Sequence, residues 1–268
     1  MTAADTVFAG SIPAIYDRYM VPLVFEPYAR LVAKRAAQYG PLKILETAAG
    51  TGVVTAALSE AVPDAEIIAT DLNEPMLEQA ARRVSSDRVQ FEVADAQSLP
   101  FPDASFDLVV CQFGVMFFPD KVRGNSEAHR VLRENGRYML VIWDQVERNL
   151  ATMTAGRAVA ELFPGEELRF YERVPFRYHD IGQIEQDLLD AGFTDIEIET
   201  VELTSHAPSA RDAAIALVQG TPMRADIEQI DASRLGEATD AAEAALRRFG
   251  GPSGFNAPMS ARLVTAIK

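Results

Sequence analysis

Length, composition and charge place this chain among ordinary globular proteins. Its 268 residues, 48% of them hydrophobic and 24% charged, suffice to bury a full core in one large domain or two small ones. The formal net charge of -14 argues against a nucleic-acid partner, because attraction to phosphates drives that kind of binding. Cys111 is the single cysteine, so an internal disulfide is impossible and a reducing compartment is indicated.

The sequence also predicts a cytoplasmic protein without a membrane span. The first residues contain no basic stretch followed by an apolar one, which a signal peptide would need. No apolar run approaches the roughly 20 residues that cross a bilayer. A lone cysteine cannot hold an iron–sulfur cluster or a four-thiolate zinc ion, and we predict no metal.

Residues 1–38 predict a helical cap that is rich in aromatic side chains, Tyr16 and Tyr19 among them. Proline disrupts the interior of an α-helix, so we expect Pro22 and Pro27 to divide the cap into short helices. Gly40 and the proline after it then end the cap, and a different pattern begins.

Short apolar runs alternate with helical stretches from residue 43 onward. The runs predict strands at 43–46, 66–71, 89–95, 106–112 and 137–144. Between them, the segments 51–61, 74–84 and 125–133 have helical character. Alternating strands and helices with nearly all-apolar central strands predict an α/β fold, whose parallel sheet is buried on both faces.

The second half of the chain has longer helical stretches. Residues 180–191 predict a helix with Asp180 as its N-cap and Gln183 completing a capping box. Strands follow at 193–203 and 261–267, and helices at 209–219 and 223–249 lie between them. We interpret residues 205–250 as a helical lid inserted between two strands.

Residues 44–52 contain the most informative turn, because small residues at Ala48, Gly50 and Gly52 follow a predicted strand and precede a helix. Such residues let the backbone turn tightly and approach a ligand closely. A tight turn with no ligand explains the same residues, so the turn alone leaves both interpretations open.

Acidic residues at two further strand ends favour the ligand interpretation. Asp71 ends the second strand about 20 residues after the turn, a position that suits the hydroxyls of a ribose, and Asp95 ends the third. Thr55 stands where a dinucleotide-binding motif needs its third glycine, and no P-loop lysine follows the turn. A turn preceded by Glu46 suits instead a ligand with an amino-acid tail and no pyrophosphate.

Four segments in this order resemble the class I S-adenosylmethionine (SAM)-dependent methyltransferases, in particular the branch around the ubiquinone/menaquinone C-methyltransferases. The segments are ILETAAGTG (44–52), IIATDLN (67–73), VADAQSLPFPDASFDLVVCQFGVMFFPD (93–120) and EAHRVLRENGRYMLVIW (127–143). The resemblance implies a doubly wound, Rossmann-like sheet of seven mostly parallel strands with an antiparallel last strand, and a helical lid. It also implies one domain over residues 1–268, with its core at 40–145, 191–204 and 259–268.

The resemblance further assigns roles to individual residues. Ala48, Gly50 and Gly52 would pack against the methionine part of SAM, with Glu46 near its amino group. Asp71 would bind the ribose hydroxyls. The remaining positions assigned to the cofactor are Leu72 and Met76 beside it, Asp95 and the Ala96 N–H on the adenine, and Gln112 and Phe113 below the sulfonium. Tyr16, Tyr19 and Met116 are candidates for the lid or the acceptor pocket.

Two positions depart from the family pattern. Ala48 replaces the usual first glycine, an exchange that we expect to matter little unless φ is positive there. Asn135 precedes Gly136 where the family has Pro or Gly, and asparagine tolerates the left-handed turn.

Methyl transfer from a sulfonium is an in-line displacement, so the protein must chiefly align the reactants and exclude water. We expect a small-molecule acceptor at O, N or C and S-adenosylhomocysteine (SAH) as the product. His206 and His179 are the candidate general bases, whereas His129 is expected at the surface. A non-catalytic SAM-binding or regulatory protein, and an RNA or protein methyltransferase, remain as alternatives.

Overall fold

The computed structural model describes residues 12–166, 168 and 170–268, so the first eleven residues of the predicted cap lie outside it. The described chain begins with α1 (Ile12–Ile15), a π-helix (Tyr16–Phe25) and α2 (Glu26–Tyr39). The predicted interruptions at Pro22 and Pro27 are wrong, because helix runs without a gap from one element into the next. A π-helix spans five residues per hydrogen bond, and the N–H of Glu26 reaches the carbonyl of Val21 past the proline.

A sheet with the predicted mixture of parallel and antiparallel strands follows. Its strands are β1 (Lys43–Thr47), β2 (Glu66–Asp71), β3 (Val89–Val93), β4 (Phe106–Gln112), β5 (Leu132–Trp143), β6 (Asp195–Ala207), β7 (Gly250–Gly251) and β8 (Gly254–Ile267). They lie in the order β3-β2-β1-β4-β5-β8-β6, and β7 pairs with β8. Strands β1 to β5 pair in parallel, whereas β8 runs antiparallel to β5, so the predicted α/β architecture is confirmed.

The strand ends differ from the predicted ones where turn residues continue a strand. Strand β5 begins at Leu132, five residues before the predicted start at 137, and contains the turn at Asn135, whose φ is 63°. Asparagine therefore takes the left-handed conformation expected of it there. Strand β3 ends at Val93, before Asp95, which instead forms an isolated antiparallel bridge with Ser98.

Helices lie between the strands in both halves of the sequence. They are α3 (Val53–Ala61), α4 (Glu74–Arg83), α5 (Lys121–Val131), α6 (Leu150–Leu162), α7 (Phe170–Arg173), α8 (Ile181–Asp190), α9 (Ala210–Gln219), α10 (Met223–Asp231) and α11 (Leu235–Leu246). The sequence missed α6 and α7, whereas the helical character predicted for 223–249 is confirmed, since α10, α11 and two short 3₁₀ helices cover that range. Asp180 caps α8 by accepting from the Gln183 N–H at 2.9 Å, but the Gln183 side chain donates to Asp187, so no capping box forms.

The chain divides into two compact units. The sheet unit comprises Tyr28–Trp143, Tyr178–Val201 and Ala261–Lys268. The helical unit comprises, within the described residues, 12–27, 144–177 and 202–260. In the sheet unit, the central strand β4 is buried from Leu108 to Gln112, as a parallel strand covered on both faces must be. In the helical unit, α11 packs against α6 and α9. The predicted core, cap and lid boundaries remain predictions.

Candidate functional site

The turn between β1 and α3 adopts the left-handed conformation at all three small residues. Ala48, Gly50 and Gly52 have φ values of 53°, 56° and 76°. A Cβ on Gly52 would lie 2.8 Å from the Cβ of Ala80 in α4, so both its backbone and its surroundings require glycine. Ala48 has the positive φ that makes the exchange from glycine unfavourable, at about 1–2 kcal/mol.

Asp71 ties the end of β2 to this turn. One of its carboxylate oxygens accepts from the Gly50 N–H at 2.9 Å, and the other accepts from the Asn73 N–H at 2.8 Å. The side chain is buried, and burial raises the pKa of Asp71, while the hydrogen bonds from Asn73 and Gly50 oppose that rise. The carboxylate therefore orders the glycine turn before any ligand arrives.

Glu46 is a second buried carboxyl group, in β1 just before the turn. Only 2% of the residue is exposed, and its Oε2 accepts from the Thr55 hydroxyl at 2.6 Å. Burial raises the pKa of Glu46 to about 8, a rise that the bond from Thr55 opposes and the charge of Asp71 increases. Among the described residues, neither Glu46 nor Asp71 forms an ion pair with a lysine or arginine. Two uncompensated acids at one turn favour a ligand that carries positive charge.

Thr51 supplies an unused donor in the same turn. Its residue is 1% exposed, and within the part of the chain that the structure describes its hydroxyl has no hydrogen-bond partner. A buried hydroxyl without a partner is unfavourable unless a ligand or water satisfies it. The turn thus combines a hydroxyl donor, acidic acceptors and a backbone that only small residues allow, which fits the polar amino-acid end of SAM.

The predicted adenine-side residues are more exposed than the turn. Leu72 is 61% exposed and follows β2, while Ala96 is half-buried in the loop after β3. Asp95 is exposed, and its Oδ1 accepts from the backbone N–H of Gln97 at 2.8 Å. The Ala94 N–H donates to the carbonyl of Asp71 at 3.1 Å, which joins this loop to the end of β2.

A cluster of aromatic residues surrounds the end of β4. Phe113 follows Gln112 with a φ of 56°, a strained value for a bulky side chain. Its ring stacks on Trp143 with centroids 3.8 Å apart, and the edge of Tyr28 approaches both rings. Tyr28 and Trp143 were not predicted to belong to the site, since they come from the cap and from β5. Their only sequence signal is that both are large aromatic residues beside predicted element ends.

The two predicted methionines are buried in the sheet unit. Met76 lies in α4 and Met116 in the 3₁₀ helix that follows Gly114, and they are 4% and 3% exposed. Buried methionines pack irregular interiors whether or not a ligand is present. Their assignment to a pocket therefore stays a prediction.

The candidate bases and lid residues lie outside this cluster of contacts. His206 belongs to the helical unit and is exposed, with its Nδ1 3.0 Å from the Asn256 Oδ1, whereas His179 precedes α8 in the sheet unit and is half-buried. In the helical unit, Tyr16 stacks on Phe25 with centroids 5.1 Å apart. Tyr19 lies under the Arg18 guanidinium at 5.1 Å from the ring centroid. The roles of these four predicted residues remain predictions.

His129, expected at the surface, is only partly exposed. The residue is half-buried, and its ring meets the edge of Phe193 with centroids 5.0 Å apart. Burial lowers the pKa of His129, helped by the charge of Lys268. Gly192 and Phe193, in the turn between α8 and β6, cover part of the ring.

The described residues contain no group of three or more His, Cys, Asp or Glu that could hold a metal ion. None of the described helices has the length and apolar character needed to cross a membrane.

Comparison with known proteins identifies the class to which this site belongs. Residues 44–136 match a family described as a methyltransferase domain. The chain is 35% identical over 143 residues to a demethylmenaquinone methyltransferase of Deinococcus radiodurans, a match over 52% of this chain and 59% of that protein. The chain thus spans less than two thirds of that relative's length.

Solved structures agree on the fold. The YcgJ protein of Bacillus subtilis matches with a TM-score of 0.59 and 22% identity, over 90% of this chain and 98% of that chain. A Haemonchus contortus phosphoethanolamine N-methyltransferase 2, solved with SAM, matches with a TM-score of 0.62 and 19% identity, over 100% of this chain and 60% of that one. The resemblance to methyltransferases is therefore confirmed over residues 44–136, which match the methyltransferase domain family.

Proposed function

We propose that this protein transfers a methyl group from SAM to a small-molecule acceptor at O, N or C and releases SAH. The pair of buried acids, Glu46 and Asp71, carries this proposal. Both lie at the glycine turn, and neither is paired with a cationic side chain among the described residues. A cofactor with a sulfonium and an ammonium group suits such a site, whereas the phosphates of a dinucleotide or a nucleoside triphosphate do not.

The residues of the turn and of the strand ends would hold SAM as follows. Glu46 would accept from the ammonium group, and the Thr51 hydroxyl would donate to the carboxylate. Asp71 would accept from the ribose hydroxyls with the lone pairs that Gly50 and Asn73 leave free. Asp95, the N–H of Ala96 and the side chain of Leu72 would bind the adenine.

SAM supplies an electrophilic methyl group on sulfur, so the chain's own residues have to align the acceptor and exclude water. Gln112 and Phe113, at the carboxyl end of β4, are the proposed wall of the reaction site. The stacked rings of Phe113 and Trp143 make that wall apolar and rigid. His206 and His179 are the proposed bases for acceptors that must lose a proton.

The acceptor is proposed to be modest in size and partly apolar. The Deinococcus relative is named for demethylmenaquinone, a small molecule. A net charge of -14 also disfavours long polyanions, so an RNA acceptor has less support.

Titration calorimetry with SAM and SAH, on the wild type and on Asp71→Ala, tests the cofactor assignment. Loss of a charge-assisted hydrogen bond costs about 1.5–3 kcal/mol, so the affinity of Asp71→Ala should fall roughly 10–100-fold. The matched control is Asp107→Ala, because Asp107 also accepts two backbone N–H bonds, from Leu42 and Lys43, and is not assigned to the cofactor. A loss within about twofold in folded Asp71→Ala would contradict the ribose assignment.

Transfer of a radiolabelled methyl group from SAM to a panel of phenols, amines and quinols tests the reaction itself. Transfer to at least one of them is the expected result. Tight SAM binding with no transfer to any acceptor would favour a non-catalytic SAM-binding protein. Transfer only to RNA or protein would move the acceptor to a macromolecule.

A further inference from the structure

The loop between β3 and β4 is held by one face of α5. Arg123, Glu127 and Arg130 are spaced four and three residues apart, so they share a side of the helix. All three contact the segment from Gln97 to Asp103, which follows Asp95. The twelve-residue loop 94–105 is thereby attached to a helix that begins at Lys121, some twenty residues later in the chain.

Arg130 and Glu127 form the centre of this attachment, which we call the Arg130–Glu127 clamp. The guanidinium of Arg130 donates to the carbonyls of Leu99 and Phe101 at 3.0 and 2.8 Å and to the carboxylate of Asp103 at 2.7 Å. It also binds Glu127 through two bonds, Nε to Oε1 at 2.7 Å and NH2 to Oε2 at 2.8 Å. Oε2 of Glu127 in turn accepts from the Leu99 N–H at 2.7 Å.

The geometry of the clamp depends on the chemistry of both partners. A planar guanidinium matches a carboxylate through two parallel bonds, which the ammonium of lysine cannot make. The Arg130 side chain holds the pKa of Glu127 below its usual range, so the ion pair persists near neutral pH. The clamp therefore holds the loop backbone through two side chains: Glu127 accepts from the N–H of Leu99, and Arg130 donates to the carbonyls of Leu99 and Phe101.

Gln97 connects the clamped loop to Asp95. Its backbone carbonyl accepts from Arg123 at 2.8 Å, and its side-chain oxygen accepts from the Asp120 N–H at 2.9 Å. Its backbone N–H and its side-chain amide both donate to Oδ1 of Asp95, at 2.8 and 3.3 Å. Among the described residues no hydrogen bond reaches Oδ2, so that oxygen is left for a ligand.

We propose that Glu127, Arg130 and Gln97 are positioning residues that orient Asp95 toward the 6-amino group of adenine, and that they thereby set the preference for the adenine base. This inference rests on the proposed binding of SAM and SAH. An exposed carboxylate has rotational freedom, and ordering its neighbours before binding strengthens a directional hydrogen bond. None of the three residues needs to touch the cofactor.

The test compares two ligands by calorimetry: SAH and its analogue with hydrogen in place of the 6-amino group. The ratio of their dissociation constants measures how well the amino group is recognised. In the wild type we expect SAH to bind about tenfold or more tightly than the analogue, because a hydrogen bond to a carboxylate is lost. In Glu127→Gln and Arg130→Lys this ratio should fall below about threefold, while the affinity for the analogue stays within about twofold.

Two control variants alter equivalent ion pairs away from the loop. Arg133→Lys changes a pair with Asp107, and Glu199→Gln changes a pair with Arg35. Neither should change the ratio. Gln97→Ala is a third test variant, in which the ratio should also fall. It leaves the Arg130–Glu127 clamp intact, so its result stays informative even if the clamp variants fail to fold.

Each outcome decides between explanations. A fallen ratio in the test variants alone supports the positioning role. An unchanged ratio overturns it, and so does an equal weakening of both ligands, which would mean that the clamp serves only the fold. Wild-type protein that binds neither ligand would instead refute the proposed function, and the inference with it.

Discussion

Glu46 and Asp71 lie buried at the ends of β1 and β2, whereas Asp95 lies exposed in the loop after β3. The two buried acids are positioned by the strands and by a turn whose φ values exclude most residues. Asp95 is positioned instead by hydrogen bonds from Gln97, a loop residue whose backbone carbonyl accepts from Arg123 of α5. The side of the site with Glu46 and Asp71 therefore has a fixed geometry, and the pKa values of both acids are raised. On the side with Asp95, single polar substitutions are expected to change the orientation of the carboxylate.

The largest effect should come from filling the turn on the buried side. In Gly52→Ala the new Cβ would meet Ala80 at 2.8 Å and the φ of 76° would be strained, so we expect a loss of roughly 2–5 kcal/mol in the free energy of unfolding. Gly40→Ala is the matched control, since its φ of +58° is strained but nothing lies within 4 Å. Its loss should be only about 1 kcal/mol. Equal losses in urea unfolding would contradict the close approach to α4.

The second prediction compares the acids directly. Asp71→Asn places an amide N–H against one of two backbone donors, at Gly50 or Asn73, so SAH affinity should fall roughly 30-fold. Asp95→Asn keeps an oxygen for Gln97 but turns its amide N–H toward the adenine amino group, so it should lose only about tenfold. Calorimetry of both variants against the wild type measures the difference. A larger loss at Asp95 than at Asp71 would reverse the comparison.

The third prediction uses the pKa of Glu46. Because the folded-state pKa of about 8 exceeds the ordinary 4.5, the folded protein keeps a proton that the unfolded chain has lost between these values. The free energy of unfolding contributed by this group therefore falls as pH rises through that window, by at most about 1.4 kcal/mol per pH unit. Glu46→Gln should remove this slope. Parallel stability curves for the two proteins between about pH 6 and 8 would contradict the raised pKa.

The smallest effect concerns the helix that carries the clamp. Asn125 in α5 is fully buried, and its amide has no hydrogen-bond partner within the described residues. Asn125→Leu should stabilise the protein by about 1 kcal/mol, measured as a rise in the thermal midpoint, because a buried amide without partners is unfavourable. The preference for SAH over its 6-hydrogen analogue should not change. Destabilisation by Asn125→Leu would indicate that the amide has a partner.

Local patterns allowed the sequence to predict the buried side of the site. The spacing of Gly50, Gly52 and Asp71 reflects a turn and a strand end that lie close in the chain, and the parallel order of β1 to β5 follows from the same alternation. The Arg130–Glu127 clamp could not be predicted in this way. Its partners are separated by up to 31 residues, and an Arg–Glu pair at this helical spacing is equally common on a solvated surface.

Unusual backbone conformations also could not be predicted from the sequence. Ala48 and Phe113 adopt positive φ values although both carry a Cβ, and only the tertiary structure imposes them. Pro22 predicts an interruption in an α-helix, but a π-helix tolerates it. In each case the residue type indicates the commonest conformation, and packing selects a rarer one.

The stack of Trp143 on Phe113 also has a practical consequence. Trp143 is the single tryptophan of the chain, so indole fluorescence reports on one place only, the neighbouring ends of β4 and β5. With excitation selective for tryptophan, a change in emission would report ligand binding or a change in structure at that place, without an added dye. The protein thus contains its own optical probe beside the residues proposed to face the acceptor.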